Sequence, residues 1–215
     1  MTVTELSIIH LKAPVTPEFK ALCEKAQAIR DAALPGTSRS RGSAAFEQIE
    51  DPTVLLVTSQ WGAPADHLAQ VATETNTETT AAFMEYMHVE GEKAPASFHI
   101  EGILFDAAED SPSLLDSPVI SVSRLSIPSA KRQEFIDKFS ATRDQLAKAL
   151  APNPMKSGWR IEKASEDLEE LVAITGWESF EKSEKFRESG GPAGLAPDMA
   201  ELVSNLDRKN YKRFM

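Results

Sequence analysis

The chain has 215 residues, of which 41% are hydrophobic and 26% charged, ordinary values for a globular protein with enough apolar material for one large domain or two small ones. Thirty-three acids against 23 Lys and Arg give a formal charge of −10, a field that repels a phosphate backbone and argues against nucleic acid or an anionic membrane as partner. The single cysteine, Cys23, excludes an intrachain disulfide framework and suits a reducing compartment. No basic-then-apolar leader opens the sequence and no apolar run approaches the roughly 20 residues of a spanning helix, so a cytoplasmic location is expected.

In chain order, residues 5–11 read as a strand, rich in Ile and Leu. Phe19, Leu22, Cys23, Ala26, Ile29 and Ala33 follow at helical spacing, with Thr16 as candidate cap and Pro35-Gly36 as stop. A short strand near 44–49, a turn at Glu50-Asp51-Pro52 and an apolar strand 54–61 ending on Trp61 come next. A second helical region, taken to include Met84, Tyr86, Met87 and His88, leads to a strand over 97–105. A polar connection around 106–117 follows. The order then recurs: strand 119–127, helical spacing at Phe135, Phe139, Thr142, Leu146 and Leu150 with Ser129 as candidate cap, and a strand over 158–163. It continues with strand 171–177 ending on Trp177, a helical region broken by the glycine-rich stretch 190–194, and a last strand over 208–215.

A shift of 116 residues aligns the two courses without gaps and gives nine identities over positions 18–67. Glu18/Glu134, Phe19/Phe135, Gly42/Gly158, Glu50/Glu166, Leu55/Leu171 and Trp61/Trp177 are among them. Each half therefore reads β-α-β-β-α-β, so the expected fold class is α+β, two ferredoxin-like repeats packed sheet to sheet. The expected boundaries are 1–105 and 118–215, with 106–117 as linker. Alternation puts Ile9 and Leu11 on one face of the first strand and Ile8 and His10 on the other. The strand around Leu55 is apolar on both faces, so both faces require cover: helices on one, the matching sheet on the other. A ligand is expected in the resulting barrel interior or under the helices.

The run from Trp177 to Ser189 resembles the strand-to-helix junction of the dimeric α/β-barrel proteins. More narrowly, it is similar to the antibiotic-biosynthesis monooxygenase domains, in which an aromatic strand end precedes Ser, acidic and His positions on a helix. The first half keeps Trp61 and places His67 at the histidine position, whereas the second half has Ser183 there. The resemblance implies a tandem, single-chain form of what the family usually makes as a homodimer. It also implies an activity among cofactor-independent oxygenation of aromatic polyketides, polyketide cyclisation and haem degradation, and it brings secondary metabolism into view.

The candidate catalytic residues are His10, His67 and His99. His10 faces away from the helices and reads either as a general base or as a hydrogen-bonded rim residue. His99 could lie on either face, and His67 and His88 are expected to be exposed on helices. Arg124 is a candidate holder of a carboxylate or enolate oxygen, against a salt bridge to a neighbouring Glu. Trp61, Trp159, Trp177 and Tyr86 are candidate substrate contacts, against plain core packing. Histidine spacing shows no metal pattern, and no nucleotide or hydrolase motif is present, so no metal and no cofactor are expected. The expected partner is a small-molecule substrate, and the tandem chain could pair with a second copy of itself. Oxygenase or cyclase chemistry is the first reading, a non-catalytic carrier or stress-related protein the second, and a haem-binding or haem-degrading protein the third.

Overall fold

A computed structural model describes residues 2–106, 113–189 and 197–215. Eight strands, β1 (Val3–His10), β2 (Ala44–Gln48), β3 (Val54–Trp61), β4 (Ala96–Glu101), β5 (Val119–Pro128), β6 (Met155–Trp159), β7 (Leu168–Trp177) and β8 (Asn205–Arg213), form one antiparallel sheet in the order β4-β1-β3-β2-β8-β5-β7-β6. The first four and the last four follow the same order, as expected for paired ferredoxin-like halves. The halves meet at their edges. β2 pairs with β8, while the free edges β4 and β6 approach through an Ile100–Arg160 bridge and an Ile161 N–H donated to His99 O at 2.8 Å. The sheet thus closes on itself as a pseudo-dimeric α/β barrel.

Gly158 makes that closure fit, since a Cβ there would sit 2.3 Å from Glu101 O. Helices α1 (Pro17–Ala33), α2 (Pro64–Val71), α3 (Glu74–Ala81), α4 (Arg132–Leu150), α5 (Phe180–Glu188) and α6 (Pro197–Ala200) coat the outside. Thr16 caps α1 as expected, its hydroxyl accepting from Phe19 N–H. Ser129 does not cap α4. It begins a short 3-10 turn and gives its hydroxyl to Glu166 O.

The alternation read from the sequence holds: Ile9, Leu11 and Leu55 pack beneath α1 with Phe19 and Cys23, while Leu6, Ile8 and Leu56 point inward. The barrel interior is not a pocket. It is packed with Leu6, Phe46, Leu56, Phe98, Ile120 and Ile174, and the chain between the halves closes it with Leu104, Phe105, Leu114 and Leu115. The expectation of an interior ligand space fails because four apolar side chains of the connection enter where β4 was expected to run on.

β4 stops at Glu101, and Gly102 turns the chain at φ +88°, with Thr4 Oγ1 accepting from Leu104 N–H. Helix α3 stops at Ala81, so Met84, Tyr86, Met87 and His88 lie in turns and a bridge, with Met87 buried against Leu11. The second halves of the repeats do not keep the gapless shift. Ten residues (34–43) join α1 to β2 but four (151–154) join α4 to β6, and the β6–β7 hairpin is correspondingly longer. Residues 107–112, half of the connection at 106–117, and the stretch 190–194 fall outside the described residues. Among the described residues no helix is long and apolar enough to cross a membrane.

Candidate functional site

Beneath α2, three buried side chains from different elements, Glu5, His67 and His99, form a row that ends on the exposed Glu162. Glu5 lies on the helix-facing side of β1 with His99 opposite it on β4. Glu5 accepts from Ser7 Oγ at 2.5 Å and from Trp61 Nε1 at 2.8 Å. Its Oε1 stands 3.4 Å from His67 Nε2. His67 Nδ1 meets His99 Nε2 at 3.0 Å, and His99 Nδ1 meets Glu162 Oε1 at 2.5 Å. The other Glu162 oxygen accepts the His99 backbone N–H at 2.7 Å. His67 also stacks on Trp61, with centroids 5.1 Å apart.

The hydrogen bonds decide where a proton can go. Glu5 accepts twice from neutral donors, which is the pattern of a carboxylate. With a neutral His99 donating from Nδ1 to Glu162, its Nε2 would accept from His67 Nδ1. That leaves a lone pair at His67 Nε2, facing Glu5 across a gap longer than a hydrogen bond. Burial pushes the His67 pKa down, with the Glu5 charge opposing and those of His99 and Arg30 assisting. His67 is therefore a neutral base at pH 7, and once protonated its imidazolium would sit between Glu5 and His99. Burial would raise the Glu162 pKa, but the two hydrogen bonds from His99 outweigh it and hold the group below its ordinary value.

Along the sheet from this row, an apolar cavity of about 180 Å³ lies between β1–β3 and the helices α1 and α3. Phe19, Cys23, Leu55, Phe83 and Met87 are among its walls, and Arg30 is its charged member. Arg30, half-buried, acts electrostatically on both Glu5 and His67 and so links the cavity to the row, whose own side chains are not among the cavity walls. Cys23 is a wall residue whose thiol burial pushes up to about 11.

The second half carries the same framework with different chemistry. Ser121 replaces Glu5, Trp177 replaces Trp61, Ser183 replaces His67 and Asn210 replaces His99. Trp177 Nε1 donates to Ser121 Oγ at 2.9 Å, and the two serine hydroxyls lie 3.0 Å apart and share Asn210 Oδ1. Glu50 takes the Asn210 backbone N–H as Glu162 takes that of His99. Glu50 and Glu162 are therefore spatial equivalents, at an offset of 112 in place of the 116 that aligned Glu50 with Glu166. By the same shift Trp159 corresponds to Glu47.

Of the residues anticipated, His67, His99 and Trp61 come together, and His67 is buried where exposure was expected. His10 ends β1 half-buried, its carbonyl accepting from His88 N–H, and it is not among the walls of the first-half or the second-half cavity. Arg124 is held by both Glu170 oxygens, at 3.1 and 2.8 Å, and lies over Phe98, the salt-bridge alternative. Trp159 packs on Phe135 under the Arg132 guanidinium, and Tyr86 packs on Phe19. Trp177 is buried and lines the second-half cavity. Sequence reasoning missed Glu5, Glu162 and Arg30. An acid at position 5, in step with Ile9 and Leu11 on the helix-covered face, was the available signal for the first of these.

No family model matches the sequence, and no curated protein does. Solved structures do match along almost the whole chain. A proposed monooxygenase from Lactobacillus acidophilus NCFM superposes with TM-score 0.64 at 10% identity, over 99% of this chain and 93% of the other. An anthrone oxidase-like protein gives 0.62 at 16% identity, over 100% and 92%. A chlorite dismutase from Candidatus Nitrospira defluvii gives 0.54 at 9%, over 99% and 92%. With the closed eight-stranded sheet and its paired halves, these neighbours establish that the chain has the dimeric α/β-barrel fold, built here from two halves of a single polypeptide.

Proposed function

We propose that the protein is a small-molecule enzyme of the cofactor-independent oxygenase or cyclase type, acting on an aromatic or polyketide-like compound at the first-half cavity. The observation that carries this reading is the buried His67–His99 pair, 3.0 Å apart and framed by Glu5 and Glu162. Such a row is costly to bury for packing alone and is well suited to accept a proton from a weak carbon or phenol acid. His67 is the base, and His99 and Glu162 orient it and spread the charge it acquires. Arg30 offers its guanidinium to the oxyanion of the enolate, and the apolar walls keep water from quenching that anion.

For an oxygenase, the enolate passes one electron to O₂, the two radicals join as a hydroperoxide, and loss of water leaves a ketone where a methylene stood. A cyclase would use the same enolate as a carbon nucleophile. The neighbours described as monooxygenase and anthrone oxidase-like lend this reading support by fold alone. We place the repeat boundaries at 1–105 and 118–215.

The haem reading does not suit these residues. The second-half cavity presents only the thioethers of Met155 and Met199 as iron ligands, and the first-half cavity, with Cys23, is too small for a porphyrin. Among the described residues no cluster of His, Cys, Asp and Glu is arranged to hold a metal ion. The test is a panel of anthrones and linear polyketides supplied aerobically, with O₂ uptake and product mass as readouts. Turnover by the wild type that falls about 100-fold or more in His67→Gln supports the proposal. Turnover unchanged in that variant, or no member of the panel converted, sinks it.

A further inference from the structure

The cavity of the second half is the larger of the two, about 310 Å³, and lies between α4 and the outer face of β5 and β7. Phe139, Leu146, Leu171, Trp177 and Phe186 give it apolar walls. At one end stands Arg208, on β8 opposite Ser123. One guanidinium nitrogen, Nη2, donates to Ser183 Oγ at 2.7 Å and to Ser121 Oγ at 3.1 Å. Those are its only hydrogen-bond partners among the described residues, and no carboxylate lies within salt-bridge distance of it. Glu184 and Glu50 act on it only through space, and the Glu50 oxygens are occupied by the Asn210 N–H and Nδ2.

Both serines already accept from Arg208 and pass their own protons to Asn210 Oδ1, so the end of the cavity presents donors and positive charge. The position of Arg208 in the first half is held by Ser97, and that of Ser121 by the acid Glu5. The two halves thus carry opposite charge at the same place. A half-buried guanidinium with no salt-bridge partner among the described residues, at the mouth of an apolar slot, calls for an anion with a hydrocarbon body. The Nη2 hydrogens are spent on the two serines, which leaves Nη1 and Nε to meet a carboxylate.

We infer that the second-half cavity is a binding site for an apolar monocarboxylate, with the carboxylate on Arg208 and the hydrocarbon against Phe139, Leu171 and Trp177. Among the described residues that line it there is no His, Asp or Glu to act as base, so the site is assigned binding without conversion. The inference stands apart from the chemistry proposed for the first half, since it is read by binding and not by turnover.

The experiment is calorimetric titration of the full chain with decanoate, decanol and decylamine, three probes with one tail and different heads. Decanoate is expected to bind at one site, decanol at least about tenfold more weakly, and decylamine without measurable heat, the order a guanidinium-held carboxylate requires. Arg208→Gln should erase the preference for decanoate over decanol. Ala173→Phe, which fills the slot from β7, should remove binding of both. Equal affinity for decanoate and decanol in the wild type overturns the inference, as does a preference that survives Arg208→Gln or binding that survives Ala173→Phe. Should either variant fail to fold, by circular dichroism, the wild-type comparison of the three heads still decides. Arg208→Lys then serves as the milder change, expected to keep the preference with weaker binding.

Discussion

His99 and Asn210 occupy one and the same position in the two seams that close the barrel: each gives its backbone N–H to a glutamate from the opposing half, Glu162 and Glu50 respectively. Each also turns its side chain under the second helix of its own half, toward His67 or Ser183. The seam role needs only a backbone amide, so the side chain is free to differ. One half uses that freedom for an imidazole chain and the other for an amide that knits two serines.

His99→Asn copies the second half into the first and separates these roles. The seam is expected to survive, with a melting temperature within a few degrees of the wild type, because Asn210 already serves there. Activity on any compound the wild type converts is expected to fall by about 100-fold, the usual scale of a lost proton relay. Equal activity at equal stability would show that His99 is structural.

The His67 shift makes a stability prediction with a definite sign. Its folded pKa lies below the unfolded value of 6.5, so between the two the unfolded chain binds more protons. Stability should therefore rise with pH through that window and decline as pH falls below 6.5. Urea unfolding at a series of pH values measures this, and His67→Gln should flatten the slope. A steeper decline in that variant would reverse the sign and refute the account.

Cys23 is buried, and its thiol is pushed up to about 11, mainly by loss of water with help from the nearby Glu24 charge. Thiolate is the reactive form. At pH 8 the native protein should leave a disulfide exchange reagent such as DTNB almost unreacted, and the full thiol should appear only on unfolding. Rapid colour from the folded protein would contradict this placement.

Gly158 lets β4 and β6 meet. Adding a methyl group sets Cβ 2.3 Å from Glu101 O and 2.6 Å from the Ile100 side chain, so the seam must part. Gly158→Ala is expected to cost about 1–3 kcal/mol, the range for overpacking a closed interior. Gly91, where a Cβ meets nothing, supplies the control for adding a methyl group in open space, although its φ of +70° makes the control imperfect in one direction only, toward destabilisation. Equilibrium urea curves for both decide it.

The repeat, the strand order within each half and the faces of Ile9, Leu55 and Leu56 were legible because alternation and paired tryptophans are local signals. The seams were not. Which edge meets which depends on loop lengths between α4, β6 and β7, and a four-residue exchange between two loops leaves a gapless alignment intact while displacing Glu162 and Trp159. His67 and His99 could be nominated singly, but their meeting depends on β4 lying beside β1 in a register that places residue 99 opposite residue 5. Arg208 is one of four basic residues near the end of the sequence, with Lys209, Lys212 and Arg213, and composition does not set it apart from them. It differs from Lys209 in the face of β8 from which it projects, and from Lys212, on the same face, in being half-buried where Lys212 is exposed and paired with Glu47.

Leu104, Phe105, Leu114 and Leu115 turn the join between the halves into a stopper for the lumen. Either half made alone and allowed to self-associate would meet its copy with an unfilled centre and would need two such stoppers or none. Covalent fusion here therefore does more than raise the local concentration of one half near the other. It releases the two sides from identity, so that one could keep a proton-accepting row while the other acquired a cationic slot.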